Sequence, residues 1–109
     1  MSSKQPINER HPLCGTWHDP AQDTDDYARS EYSVTVVAGQ FQISAIDCSD
    51  GERFVITDIG WDGEWLTFRT FVPSTQRRGL CKMRHLDTHE IELLFTFTVR
   101  EIWRRKLTA

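Results

Sequence analysis

The chain has 109 residues, 39% hydrophobic and 27% charged, with a formal net charge of −3. That length fits one domain able to bury roughly 60–70% of its unfolded surface without staples, and the composition is too apolar for disorder. No stretch reaches the ~20 apolar residues of a membrane-spanning helix, and residues 1–12 hold no apolar run of signal-peptide type. A soluble cytoplasmic protein with no membrane association is expected.

Residues 1–12, with Pro6 and Pro12, read as a flexible N-terminal tail, leaving 13–109 as a single β domain. Cys14, Cys48 and Cys81 are odd in number and widely spaced with no CxxC pair, which argues against a disulfide framework and a thiolate zinc site. They read as small buried hydrophobes. Gly15–His18 fits a short first strand. Residues 19–26 are a loop by composition, and their aspartates lack the spacing and closing glutamate of an EF-hand.

From Tyr27 the hydrophobic period becomes two, the mark of half-buried strands. Tyr32, Val34 and Val36 share one face, as do Phe41, Ile43 and Ala45 on the next strand. A two-residue turn at Ala38-Gly39 sets Val36 opposite Phe41 and Val34 opposite Ile43, so pattern and turn length give one register. Alanine where φ > 0 is needed is unfavourable, which leaves the turn type open.

A loop at 48–51 leads to a strand through Phe54, Val55 and Ile56, and Asp62-Gly63 is a hairpin signal. A two-residue turn there pairs Ile59 with Leu66 and Thr57 with Phe68, turning Val55 inward. The preceding hairpin instead wants Phe54 and Ile56 inward. A bulge or a longer turn reconciles the two.

The fifth strand, 65–72, alternates Leu66, Phe68, Thr70 and Val72 with Trp65, Thr67, Arg69 and Phe71. A sixth covers 80–86, and a seventh, 90–99, sets Ile91, Leu93, Phe95, Phe97 and Val99 on one face. A two-residue loop between them would press Arg84 against Ile91. A three-residue loop at Asp87-Thr88-His89 pairs Arg84 with Glu92 outside and brings Cys81 to Phe95, Met83 to Leu93 and His85 to Ile91 inside. The second register wins, because burying a guanidinium costs several kcal/mol. With no helical period and no repeat, the prediction is all-β: an antiparallel up-and-down meander of six to eight strands.

Gly15-Thr16-Trp17 at the start and Ile102-Trp103-Arg104-Arg105 at the end resemble the two ends of the calycin superfamily, which includes lipocalins, fatty-acid-binding proteins and avidins. The resemblance implies a small barrel or strongly curved sheet. Trp17 would close its base, with Arg104, or failing it Arg100, across the indole as a cation–π contact. It also implies an interior for a small apolar or amphipathic ligand, lined by Tyr32, Phe41, Phe68, Met83, His85 and Phe95. Short strands keep such an interior small.

A second reading makes the protein a ligand-free interaction module. Trp65, Arg69, Phe71, Lys82 and Arg84 share the outward face of strands five and six. Aromatic residues among cations can stack bases, but the acidic overall balance argues against nucleic acid. Aromatic and arginine enrichment fits a protein interface, and homodimerisation through this face is expected. Charge is also uneven along the chain: four Lys/Arg against eleven Asp/Glu through Asp62, then nine against five. Solvated strand charges account for this as well as a steering dipole does.

Little argues for catalysis. His85 and His89 have metal-ligand spacing only on a helix, and they fall at a strand end and its turn. Cys81 and His85 stand ~13 Å apart along a strand at ~3.3 Å per residue, too far for a thiolate–imidazolium pair. Cys14 lies near His18 as its one conceivable base, and packing explains it better. No phosphate loop, nucleophile elbow, HExxH or carboxylate dyad is present, so no metal, cofactor or catalytic residue is assigned.

Overall fold

The computed structural model describes residues 6–19, 30–98 and 101–107; most of the loop expected at 19–26, together with Tyr27, Val99 and Arg100, lies outside these. The described residues form seven strands and no helix: β1 (Gly15–His18), β2 (Ser30–Val37), β3 (Gln40–Asp47), β4 (Val55–Trp61), β5 (Leu66–Val72), β6 (Arg77–Asp87) and β7 (Glu90–Thr98). They make two antiparallel sheets in chain order, β1-β2-β3 and β4-β5-β6-β7. The all-β meander holds; the barrel does not. Because the sheets share no continuous ladder, the chain is an open two-sheet stack with free edge strands.

Local chemistry sets the registers. Val36 pairs with Phe41 and Val34 with Ile43, as the alternation requires. Ala38 and Gly39 both have positive φ, 52° and 75°, so the turn is type I′, whose twist matches the strands it joins. At β6–β7, Arg84 faces Glu92, Cys81 faces Phe95, Met83 faces Leu93 and His85 faces Ile91. The loop is shorter than expected: Asp87 pairs with Glu90, leaving Thr88-His89 as a two-residue turn, and a bulge between His85 and Asp87 sets the same register that the three-residue loop was to give.

The chain changes sheets at a corner after β3. Asp47 N donates to Glu52 O at 2.9 Å and Phe54 N to Ala45 O at 2.9 Å, so 52–54 still follow β3 before β4 departs. The Glu52 carboxylate accepts bonds from Ser74 N (2.9 Å) and Ser74 Oγ (2.6 Å), tying the β5–β6 turn to this corner.

The β4–β5 hairpin needed both of the anticipated adjustments. A bulge between Thr57 and Gly60, with Asp58 at φ 54°, absorbs the parity conflict. The turn is also longer: Trp61 pairs with Leu66, and Asp62 Oδ1 accepts from the amides of Glu64 and Trp65 at 2.8 and 2.7 Å. Ile59 therefore does not pair with Leu66, Thr57 faces Arg69 rather than Phe68, and Val55 turns outward. Phe54 and Ile56 are half-buried, the latter against the core.

Val34 and Phe41 from the first sheet meet Leu66, Phe68, Cys81 and Met83 from the second, with Leu13 between the layers. Each such side chain taken from water contributes ~1.5–3 kcal/mol. Leu13 reaches the core because residues 8–14 turn twice, with His11 N on Asn8 O and Cys14 N on His11 O, both 2.9 Å. The inner part of the supposed tail is thus packed: Ile7 lies against the core and His11 is 5% exposed.

Candidate functional site

Of the six residues expected to line a ligand site, four converge. Phe41, Phe68 and Met83 are buried, and Tyr32 packs against them, its ring 5.8 Å from Phe68 and 6.4 Å from Phe54. His85 is half-buried near the end of β6. Phe95 is not interior at all. The three-stranded sheet does not extend over the outer half of β7, leaving Phe95 53% and Phe97 46% exposed, their rings 4.9 Å apart. The convergent side chains fill the space between the sheets with their own atoms: Leu13, Leu66, Phe68, Cys81 and Met83 are fully buried against one another.

Tyr32 and Cys81 are equally committed. Burial pushes the Tyr32 hydroxyl well above the usual phenol range, and the neighbouring Cys81 adds to this. Burial likewise raises the Cys81 thiol, against hydrogen bonds with Tyr32 and Thr70 that lower it. A neutral, hydrogen-bonded thiol in the core is no nucleophile.

Arg104 does not make the expected base closure, and its alternative Arg100 lies outside the described residues. Trp17 packs against the core and donates Nε1–H to Leu13 O at 2.9 Å. Arg104 is exposed, in a segment outside the strands, and no cation lies over the Trp17 ring among the described residues.

His11, which pattern reading missed, packs between the two sheets. His11 wedges edge-on between Phe41 and Trp61, with centroids at 5.0 and 5.3 Å and interplanar angles of 88° for both. Its Nδ1 accepts from Leu13 N at 3.1 Å, and its buried Nε2 has no partner. Burial, then the nearby His85, holds the imidazole below its usual pKa. The only sequence signal was a lone histidine between polar residues and Pro12.

The outward face of the second sheet carries the cation–aromatic array that the alternation placed there. Lys82 Nζ lies 4.8 Å and Arg84 Cζ 4.7 Å from the Trp65 ring centroid, and Arg78 sits 4.8 Å from that of Phe71. Arg84 also bridges Glu64 (2.9 Å) and Glu92, while Arg69 pairs with Asp58 at 3.2 Å. Its rings are capped by the protein's own cations, and Arg84 and Arg69 by its own carboxylates.

The unsatisfied surface lies next to this face, at β7. This strand ends the four-stranded sheet, so alternate N–H and C=O groups face away from β6, and among the described residues no strand lies across from them. Leu94 on its outer side is 47% exposed, adding to Phe95 and Phe97 on its inner side. Beyond it, Ile102, Trp103 and Leu107 are 75%, 85% and 87% exposed. Among the described residues no group of three metal-ligating side chains occurs, and no helix is long and apolar enough to cross a membrane. No protein family, curated protein or solved structure matches the chain.

Proposed function

We propose that this protein is an interaction module that self-associates through its four-stranded sheet, rather than a carrier holding a ligand between its sheets. The observation that carries this reading is the division of apolar surface. The interior residues are fully buried against each other, whereas Leu94, Phe95 and Phe97 stand half-exposed along one free strand. Phe95 and Phe97 on the inner face and Leu94 on the outer face flank the same free backbone edge, and exposed apolar groups gathered at an edge mark an association surface more often than an inert one. The expected contact face around Trp65 and Phe71 belongs to the same sheet, but its own cations cap both rings, whereas on β7 Arg77 caps Phe97, 4.6 Å from its centroid, and among the described residues no cation covers Phe95. A cytoplasmic setting fits cysteines kept as thiols.

Sedimentation across a concentration series tests the proposal, with a dimer expected in reversible exchange with monomer. Tryptophan fluorescence titrated with fatty acids, biotin-like compounds and haem should stay flat. Saturable quenching by a monomeric protein would instead return the interior to consideration as a ligand site.

A further inference from the structure

Building on that reading, we infer that the partner is a second copy of this chain whose β7 pairs antiparallel with β7 across a two-fold axis at Leu94, joining two four-stranded sheets into one of eight. β7 runs from Glu90 to Thr98, and Leu94 is its midpoint, so this register alone pairs all nine of its residues.

The side chains agree with that register. Opposite residues in an antiparallel pair point to the same face. Phe95 then meets Leu93 of the second copy, and Phe97 meets its Ile91. The half-exposed aromatics on the inner face gain apolar neighbours. On the outer face Leu94 meets its own symmetry mate, and Glu90 and Glu92 meet threonines, Thr98 and Thr96. No charge faces itself.

Charge sets the direction. Glu90 and Glu92 make the start of β7 acidic, while the described residues that follow the strand hold Arg104, Arg105 and Lys106 against Glu101 alone. Antiparallel pairing brings each acidic end toward the other copy's basic continuation; parallel pairing would oppose like ends. Edge protection on the strand is confined to its acidic start, Glu90 and Glu92, and no proline or lysine lies within 90–98.

Cysteine pairing tests the geometry on the full chain in a Cys48→Ser background. Directly opposite strand residues have Cα atoms ~4.5–5.5 Å apart, within disulfide reach. Under mild oxidation Leu94→Cys should give a covalent dimer well above the parent's level. Glu92→Cys mixed with Thr96→Cys should cross-link only as the heterodimer. Phe95→Lys should weaken association about tenfold or more while the circular dichroism spectrum stays unchanged. A dimer that shows none of these cross-links, and that Trp65→Ser plus Phe71→Ser abolishes, would overturn edge pairing yet keep self-association. A monomer at every concentration would overturn both.

Discussion

The imidazole of His11 meets the indole of Trp61 edge-on, 5.3 Å between centroids and 88° between planes, inside a pocket that offers its Nε2 no hydrogen bond. A protonated ring would bury a charge there without a counter-ion. The folded state therefore holds the His11 pKa below its unfolded value. Below that unfolded value the unfolded chain binds the proton more readily, so stability is fullest above it and declines as pH falls.

From this, the thermal midpoint should drop between about pH 7 and pH 5, the window in which imidazole titrates. His11→Asn, which keeps an acceptor for the Leu13 amide, should flatten that slope. Asp47, Asp62 and Asp87 do not interfere. Hydrogen bonds from Ser49, from the Trp65 and Glu64 amides and from the His89 amide hold their carboxyls below the usual range. Their contribution is lost only at more acid pH. An unchanged slope in His11→Asn would remove this histidine as the cause.

Phe68 and Phe95 have the same side chain on neighbouring inward rows, yet only Phe68 is fully buried. Phe68→Ala should cost ~3–5 kcal/mol in denaturant unfolding through lost transfer energy and a cavity between the sheets. Phe95→Ala, measured in dilute solution, should cost under about 1 kcal/mol. Equal losses would mean that the outer half of β7 is covered in the monomer.

Gly79 is required by proximity. A Cβ there would stand 2.5 Å from Thr70 Oγ1 and 3.2 Å from the Phe97 ring. Gly79→Ala should destabilise by ~1–3 kcal/mol, since Thr70 is buried and cannot retreat freely. Adding Thr70→Ala removes the nearer obstacle and should recover part of the loss, a coupling that a double-mutant cycle measures.

Ala38 occupies φ 52° at the first central position of the β2–β3 turn. Asparagine tolerates that conformation better, so Ala38→Asn should raise stability by ~0.5–1 kcal/mol with the β2–β3 register intact. A decrease would mean that strain at Ala38 is not what limits this turn.

The thiols should separate by location. Cys48 is exposed, Cys14 half-buried and Cys81 buried, and burial raises both Cys14 and Cys81. A thiol-reactive dye at neutral pH should label Cys48 first and Cys81 only on unfolding. Early labelling of Cys81 would contradict the packing of β6.

The extent to which the sequence foretold each element follows its physics. The β2–β3 and β6–β7 registers were legible because a period of two and a short turn constrain the same pairing, and because Arg84 had a partner in Glu92 but not in Ile91. The β4–β5 hairpin was legible only as a conflict: parity called for a bulge or a longer turn and could not say that the structure uses both, the bulge at Asp58–Ile59. His11 gave no pattern at all. A single side chain in a nonperiodic segment is placed by two turns, the nearby Leu13 amide and two aromatic neighbours distant in sequence, Phe41 and Trp61.

By itself, then, the sequence determined an all-β meander and the inward and outward faces of its strands, because alternation and turn chemistry act between residues close along the chain. Only the tertiary structure decided that the strands part into two sheets at the Asp47–Glu52 corner, that Leu13 and His11 enter between the layers, and that Phe95 and Phe97 project beyond the cover of the opposite sheet. Those outcomes depend on how far one layer extends over another, a relation between distant segments that no local period encodes.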